Sequence, residues 1–246
     1  MNWKMKTRRN FLKSTLAASP VVVIPDIFFE IFTADKFNIL IIGDSISIGY
    51  TPFVKELLKY TAIVTRPVYE DGNDENCQGT INGVANIDRW LGKTKWDIVH
   101  FNFGLHDIKH VDPKTGEGSN NPKHPLQAEL KIYKKNLEFI VQKLKATGAR
   151  LIFATTTPYP GRTANPLRDP GMPAKYNREA IKIMNKNKIV INDLYTFMLP
   201  RLTELQLPEN VHFTPEGYLA LAQKVVDRIK EVLRDESTKS EDRTLK

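Results

Sequence analysis

The sequence predicts a doubly wound α/β fold, a parallel sheet with helices on both faces. Short, continuously apolar segments rich in β-branched and aromatic residues alternate with amphipathic stretches at helical spacing. Several residues with reactive side chains directly follow the apolar segments, where sheets of this kind bind their ligands. With 246 residues, 41% hydrophobic and 26% charged, the chain suits one globular domain with a full core.

The first strand spans 37–42 and ends at Gly43. Residues 51–58 have helical spacing with Pro52 near their start, which places Ser45 on the strand-to-helix turn. A strand at 62–66, a helix at 83–91 and a buried strand at 97–103 follow. A long amphipathic helix over about 126–147 is stopped by Gly148, and 150–156 forms the fourth strand. After a Pro-rich loop (158–173) come a helix at 175–185, a strand at 189–192 and a last helix at 215–233.

Residues 1–34 hold five basic and two acidic groups, so they carry +3 of the formal +8 and leave +5 on the rest. The remaining Lys and Arg are interleaved with Glu and Asp and form no aromatic-studded basic stripe, which argues against nucleic acid as a partner. Thr7-Arg8-Arg9-Asn10-Phe11-Leu12-Lys13, followed by a modest apolar stretch, resembles a twin-arginine export signal. The expectation is export to a bacterial periplasm through the twin-arginine machinery, or tethering to the membrane if the signal is retained. The single cysteine, Cys77, excludes an intrachain disulfide and is read as a packed thiol.

A serine hydroxyl needs a base to become a nucleophile near neutral pH, and histidine is the side chain best suited to that transfer. His212 lies in Glu209-Asn210-Val211-His212-Phe213-Thr214-Pro215, a loop entering a helix, with a carboxylate three residues before the imidazole. Glu209 is accordingly the candidate for fixing the tautomer of the base.

Gly43-Asp44-Ser45 after a buried strand, with His212 before the last helix, resembles the SGNH/GDSL hydrolase superfamily across roughly 37–233. The resemblance implies a flavodoxin-like three-layer sandwich with about five parallel strands, occupying 35–234. Residues 1–34 are then signal and linker, and 235–246 a charged, disordered tail. It further implies a carboxylic ester hydrolase in which Ser45 is acylated, His212 transfers protons, and the oxyanion is held by the N–H groups of Ser45 and Gly79 and one side-chain donor. The family pattern Gly-x-Asn-Asp here reads Gly104-Leu105-His106-Asp107, which puts His106 in the donor's place, with Asn76 and Asn102 as alternatives. Glu209 likewise replaces the family's Asp.

Asp44 and Ser47 are read as groups that cap the turn and the helix start. His106 and His110 have a metal-like spacing, but no third ligand accompanies them, so neither metal nor cofactor is expected. His100 reads as a core histidine, and His124 has no assigned role. The substrate expectation, by analogy with the family, is an O-acyl, foremost O-acetyl, ester on a carbohydrate. The alternatives are a lipid-directed acylhydrolase (lysophospholipase or thioesterase) and a carbohydrate-binding relative with impaired catalysis. An α/β-hydrolase fold is disfavoured because that fold carries Gly-x-Ser-x-Gly in mid-chain.

Overall fold

The computed structural model describes residues 36–161 and 165–244, with side chains through Arg234. The segment 1–34, expected to carry an export signal, lies outside the described residues. Five strands form one sheet: β1 (Phe37–Ile42), β2 (Ala62–Thr65), β3 (Ile98–Phe101), β4 (Arg150–Ala154) and β5 (Val190–Asn192). They are all parallel, in the order β2-β1-β3-β4-β5. Ile39 to Ile42, Ile98, Val99, Phe101 and Ile152 to Ala154 are buried, as expected of strands covered on both faces.

The crossovers are α1 (Ser45–Leu57), α2 (Thr80–Leu91), α3 (Leu130–Ala146) and α4 (Met172–Lys186). After β5 the chain forms two short helices, α5 (Leu194–Met198) and α6 (Leu202–Leu205), joined by a 3₁₀ turn, and ends in α7 (Pro215–Thr244). In this strand order the connections reverse direction between β1 and β3, and the crevice beyond their carboxyl ends is the expected ligand site.

Three of the boundaries that differ from the sequence expectation have an identifiable cause. Helix α1 begins at Ser45, and Pro52 lies inside it, because Asp44 caps the helix by accepting the Ile46 N–H at 2.9 Å. Helix α2 begins at Thr80, because the Asp107 carboxylate, arriving from beyond β3, accepts the Thr80 N–H at 2.9 Å and its hydroxyl. Helix α7 continues to Thr244 through the segment expected to be a disordered tail. Residues 235–244 contain neither Pro nor Gly to stop it.

Candidate active site

Ser45 is the first residue of α1, so its hydroxyl stands at a helix N-terminus directly beyond β1. Asp44 fixes this corner. Besides the Ile46 N–H, its backbone carbonyl accepts the Ile48 N–H at 3.1 Å and the Ser47 hydroxyl at 2.7 Å. Burial raises the Asp44 carboxyl above its usual range, while the Ile46 bond and the guanidinium groups of Arg168 and Arg66 work in the opposite direction.

Arg66, at the end of β2, braces the same corner from below. Its guanidinium is buried and donates to Ser47 Oγ (3.0 Å), Thr51 Oγ1 (3.3 Å), Gly43 O (3.3 Å) and Glu75 O (2.9 Å). Replacing it by Met would remove the donor that these buried acceptors share, leaving Gly43 O with only the Cys77 N–H. Arg66→Met is therefore expected to lower unfolding free energy by about 3 kcal/mol, read as a reduced urea midpoint with an unchanged slope.

His212 reaches this corner from a loop pinned on two sides. Leu207 N donates to His212 O at 3.0 Å, and Gln206 Nε2 donates to Pro158 O and Val211 O. Its Nε2 lies 2.9 Å from Ser45 Oγ. The other ring nitrogen, Nδ1, donates to Asn210 Oδ1 at 2.8 Å, and the same oxygen accepts the His212 backbone N–H at 3.1 Å. An amide oxygen can only accept, so Nδ1 carries the proton and Nε2 presents a lone pair to the serine hydroxyl.

Here the structure corrects the expectation for Glu209. Asn210, not Glu209, holds the imidazole, and Glu209 makes no hydrogen bond to it. The cause is a tight turn: Asn210 N donates to Leu207 O at 3.2 Å, with Pro208 second and Glu209 third in left-handed conformation (φ 50°). This turn places Asn210 where its side chain reaches both N–H groups of His212.

His106 enters from the loop after β3. Its Nδ1 lies 3.4 Å from the Lys109 ammonium, which has only protons to give, so Nδ1 accepts and the ring proton sits on Nε2. Burial first, then the charges of Lys109 and Arg168, push the imidazole down to about 3, which keeps it neutral. A cavity of about 400 Å³ is lined by Ser45, His106, His212 and Glu209, together with Asn76, Arg168 and Asn210.

Gly79 is not on the wall of this cavity. It caps α2 and packs on Asp107, where an added Cβ would lie 3.0 Å from the carboxylate. The backbone N–H groups of Ser45 and Gly79 have no acceptor among the described residues. Of the alternatives to His106, Asn102 is committed to Ala154 O at 2.7 Å, whereas Asn76 lines the cavity and its side-chain Oδ1 accepts the Gln78 N–H.

The other candidates have structural roles. Cys77 is buried, and burial pushes its thiol up to about 12. His100 packs edge-on to Tyr50 in the core. Both ring nitrogens of His110 are engaged, with His124 O at 2.6 Å and Asp169 at 3.1 Å. Among the described residues no three His, Cys, Asp or Glu side chains form a metal-binding group.

A profile of the GDSL-like lipase/acylhydrolase family matches residues 41–220, which include the whole Ser45 corner and His212. The chain belongs to this family. It is an SGNH-type carboxylic ester hydrolase, and its sheet matches those of solved members.

A lipase/acylhydrolase from Enterococcus faecalis is 19% identical with a TM-score of 0.62, over 79% of this chain and 96% of that one. Axe2, an acetylxylan esterase from Geobacillus stearothermophilus, is 19% identical with a TM-score of 0.61, over 80% and 96%. The acetyl xylan esterase AlAXEase is 17% identical with a TM-score of 0.60, over 77% and 98%. Comparison with curated protein sequences returned no match.

Sequence reasoning passes over Arg66, Arg168 and Asn210. Asn210 had one readable signal: an Asn two residues before the histidine is placed for an Asx turn.

Proposed function

We propose that this esterase hydrolyses O-acyl esters on carbohydrates, O-acetyl foremost, through an acyl-enzyme on Ser45. The observation that carries the proposal is the 2.9 Å contact between Ser45 Oγ and an imidazole nitrogen left bare by Asn210. His212 takes the hydroxyl proton as Ser45 Oγ attacks the ester carbonyl. The Ser45 N–H and the Nε2–H of His106, whose residues line the cavity, receive the developing oxyanion, and the family resemblance adds the Gly79 N–H. Collapse breaks the ester C–O bond, and His212 returns the proton to the departing alcohol. Water, deprotonated by the same imidazole, then releases the acid.

A polar cavity with Asn76, Asn165, Arg168, Glu209 and Asn210 on its wall suits a sugar better than a long acyl chain. The fold shared with two acetylxylan esterases leans the same way. Export to the periplasm is part of this reading and rests on the paired arginines Arg8 and Arg9. The test joins fluorophosphonate labelling of Ser45 with acetate release from acetylated oligosaccharides, compared with turnover of long-chain nitrophenyl esters. Labelling with faster deacetylation supports the proposal. Faster turnover of the long-chain esters favours the lipid-directed alternative, and absence of labelling in folded protein favours a binding protein.

The base also sets the pH profile. Burial first, and Arg168 second, hold His212 below the ordinary imidazole value of 6.5. Only neutral His212 can accept the serine proton, so activity is lost as pH falls through this lowered value. Asn210→Asp would put a negative charge beside Nδ1–H and favour the imidazolium. The acid limb of kcat/KM is then expected to move to higher pH, as measured with one soluble acetyl ester across pH 4–9.

A further inference from the structure

Arg168 lies in the loop after β4 and is only 5% exposed, yet it lines the cavity shared by Ser45, His106 and His212. Part of it is structural. Nε donates to Leu105 O at 2.9 Å and Nη1 to Pro166 O at 3.1 Å, which tie the Pro-rich loop to the His106 loop. Nη2 has no acceptor among the described residues, and it is not one of the side-chain nitrogens sealed from solvent without a partner. Nη2 therefore keeps contact with solvent, on a residue that lines the cavity.

No carboxylate among the described residues lies within 4.0 Å of this guanidinium. The acidic groups around it are the Tyr159 hydroxyl, already donated to Asp169 O, Asp44, already committed to capping α1, and Glu209 on the cavity wall. The other titratable neighbours are His106 and His212, which share the wall with it, and Lys109, a second cation beside His106. A buried guanidinium without an ion-pair partner is costly, and a loop brace alone does not require a charge.

We propose that Arg168 anchors a carboxylate on the substrate, so that the preferred esters are anionic. The proposal rests on Ser45 as the nucleophile and adds the substrate's charge to that reading. The carboxylate can sit on the alcohol, as in an acylated uronic acid, or on the acyl group, as in the half-ester of a dicarboxylic acid. Either would meet the uncommitted Nη2 of a permanently charged guanidinium, a charge-assisted donor.

Two pairs of esters separate these sources. One pairs an acetylated methyl glucuronoside with the matching glucoside; the other pairs nitrophenyl hemisuccinate with nitrophenyl butyrate. The full-length protein is expected to favour the carboxylate member of one pair by about tenfold or more in kcat/KM. That preference should shrink as salt is raised. Arg168→Gln should lower kcat/KM for the anionic member at least about fivefold more than for its neutral partner.

Ratios near one in both pairs for the unaltered protein overturn the proposal, as does an Arg168→Gln loss shared equally within each pair. If Arg168→Gln fails to fold, protection of Ser45 from a fluorophosphonate decides. Glucuronate or succinate protecting better than glucose or butyramide supports the anchor, and equal protection refutes it. Failure of both labelling and turnover, by contrast, removes the hydrolase mechanism itself.

Discussion

Replacing Ser45 by Ala is expected to lower kcat/KM for any ester substrate by at least about a thousandfold and to abolish fluorophosphonate labelling while leaving the melting temperature nearly unchanged. His212→Ala should match it. Ser45 Oγ and His212 Nε2 share one hydrogen bond of 2.9 Å, and neither group performs its step without the other. The double variant should then be no slower than either single one. A product of the two single losses would mean that serine and imidazole act independently. Asn210→Ala removes the acceptor that fixes the tautomer but keeps both reacting groups, so a loss of about ten- to hundredfold is expected. Glu209→Gln should lose less than Asn210→Ala. A larger loss for Glu209→Gln would restore the carboxylate to the role that its sequence position suggests.

Much of this site is legible in the sequence, because strands and helix starts are local. The apolar run of β1 and the Gly-Asp-Ser corner can be read directly, and parallel pairing brings the ends of β1 and β3 together. The turn at Pro208 is harder. Its left-handed third residue is Glu209, a type with no intrinsic preference for that conformation, so only the folded loop reveals that Asn210 takes over the imidazole. Arg66 and Arg168 are illegible for another reason. Each works by reaching backbone carbonyls or side chains distant in sequence, and nothing local marks a buried arginine as different from a solvated one. The early start of α2 is of the same kind, since its cap is supplied by Asp107 from another loop.

His106→Ala is expected to lower kcat by about a hundredfold with KM changed little, because in the proposed mechanism its Nε2–H meets charge that exists only in the transition state. His106→Asn supplies an amide N–H from a similar distance and should recover most of the loss. Lys109 is the discriminating partner. Its contact with Nδ1, at 3.4 Å, keeps the ring proton on Nε2. Lys109→Met frees the ring to carry its proton on either nitrogen and should reduce kcat in a His106 background but not in a His106→Asn background. That non-additivity, measured as a double-mutant cycle on kcat, separates a donor imidazole from one that merely fills space. Equal effects of Lys109→Met in both backgrounds would show that the lysine acts on the cavity's charge instead. With its imidazole held down to about 3, His106 stays neutral throughout the working range. The His106→Asn profile should therefore overlay the unaltered one above pH 5, leaving the whole acid limb to His212.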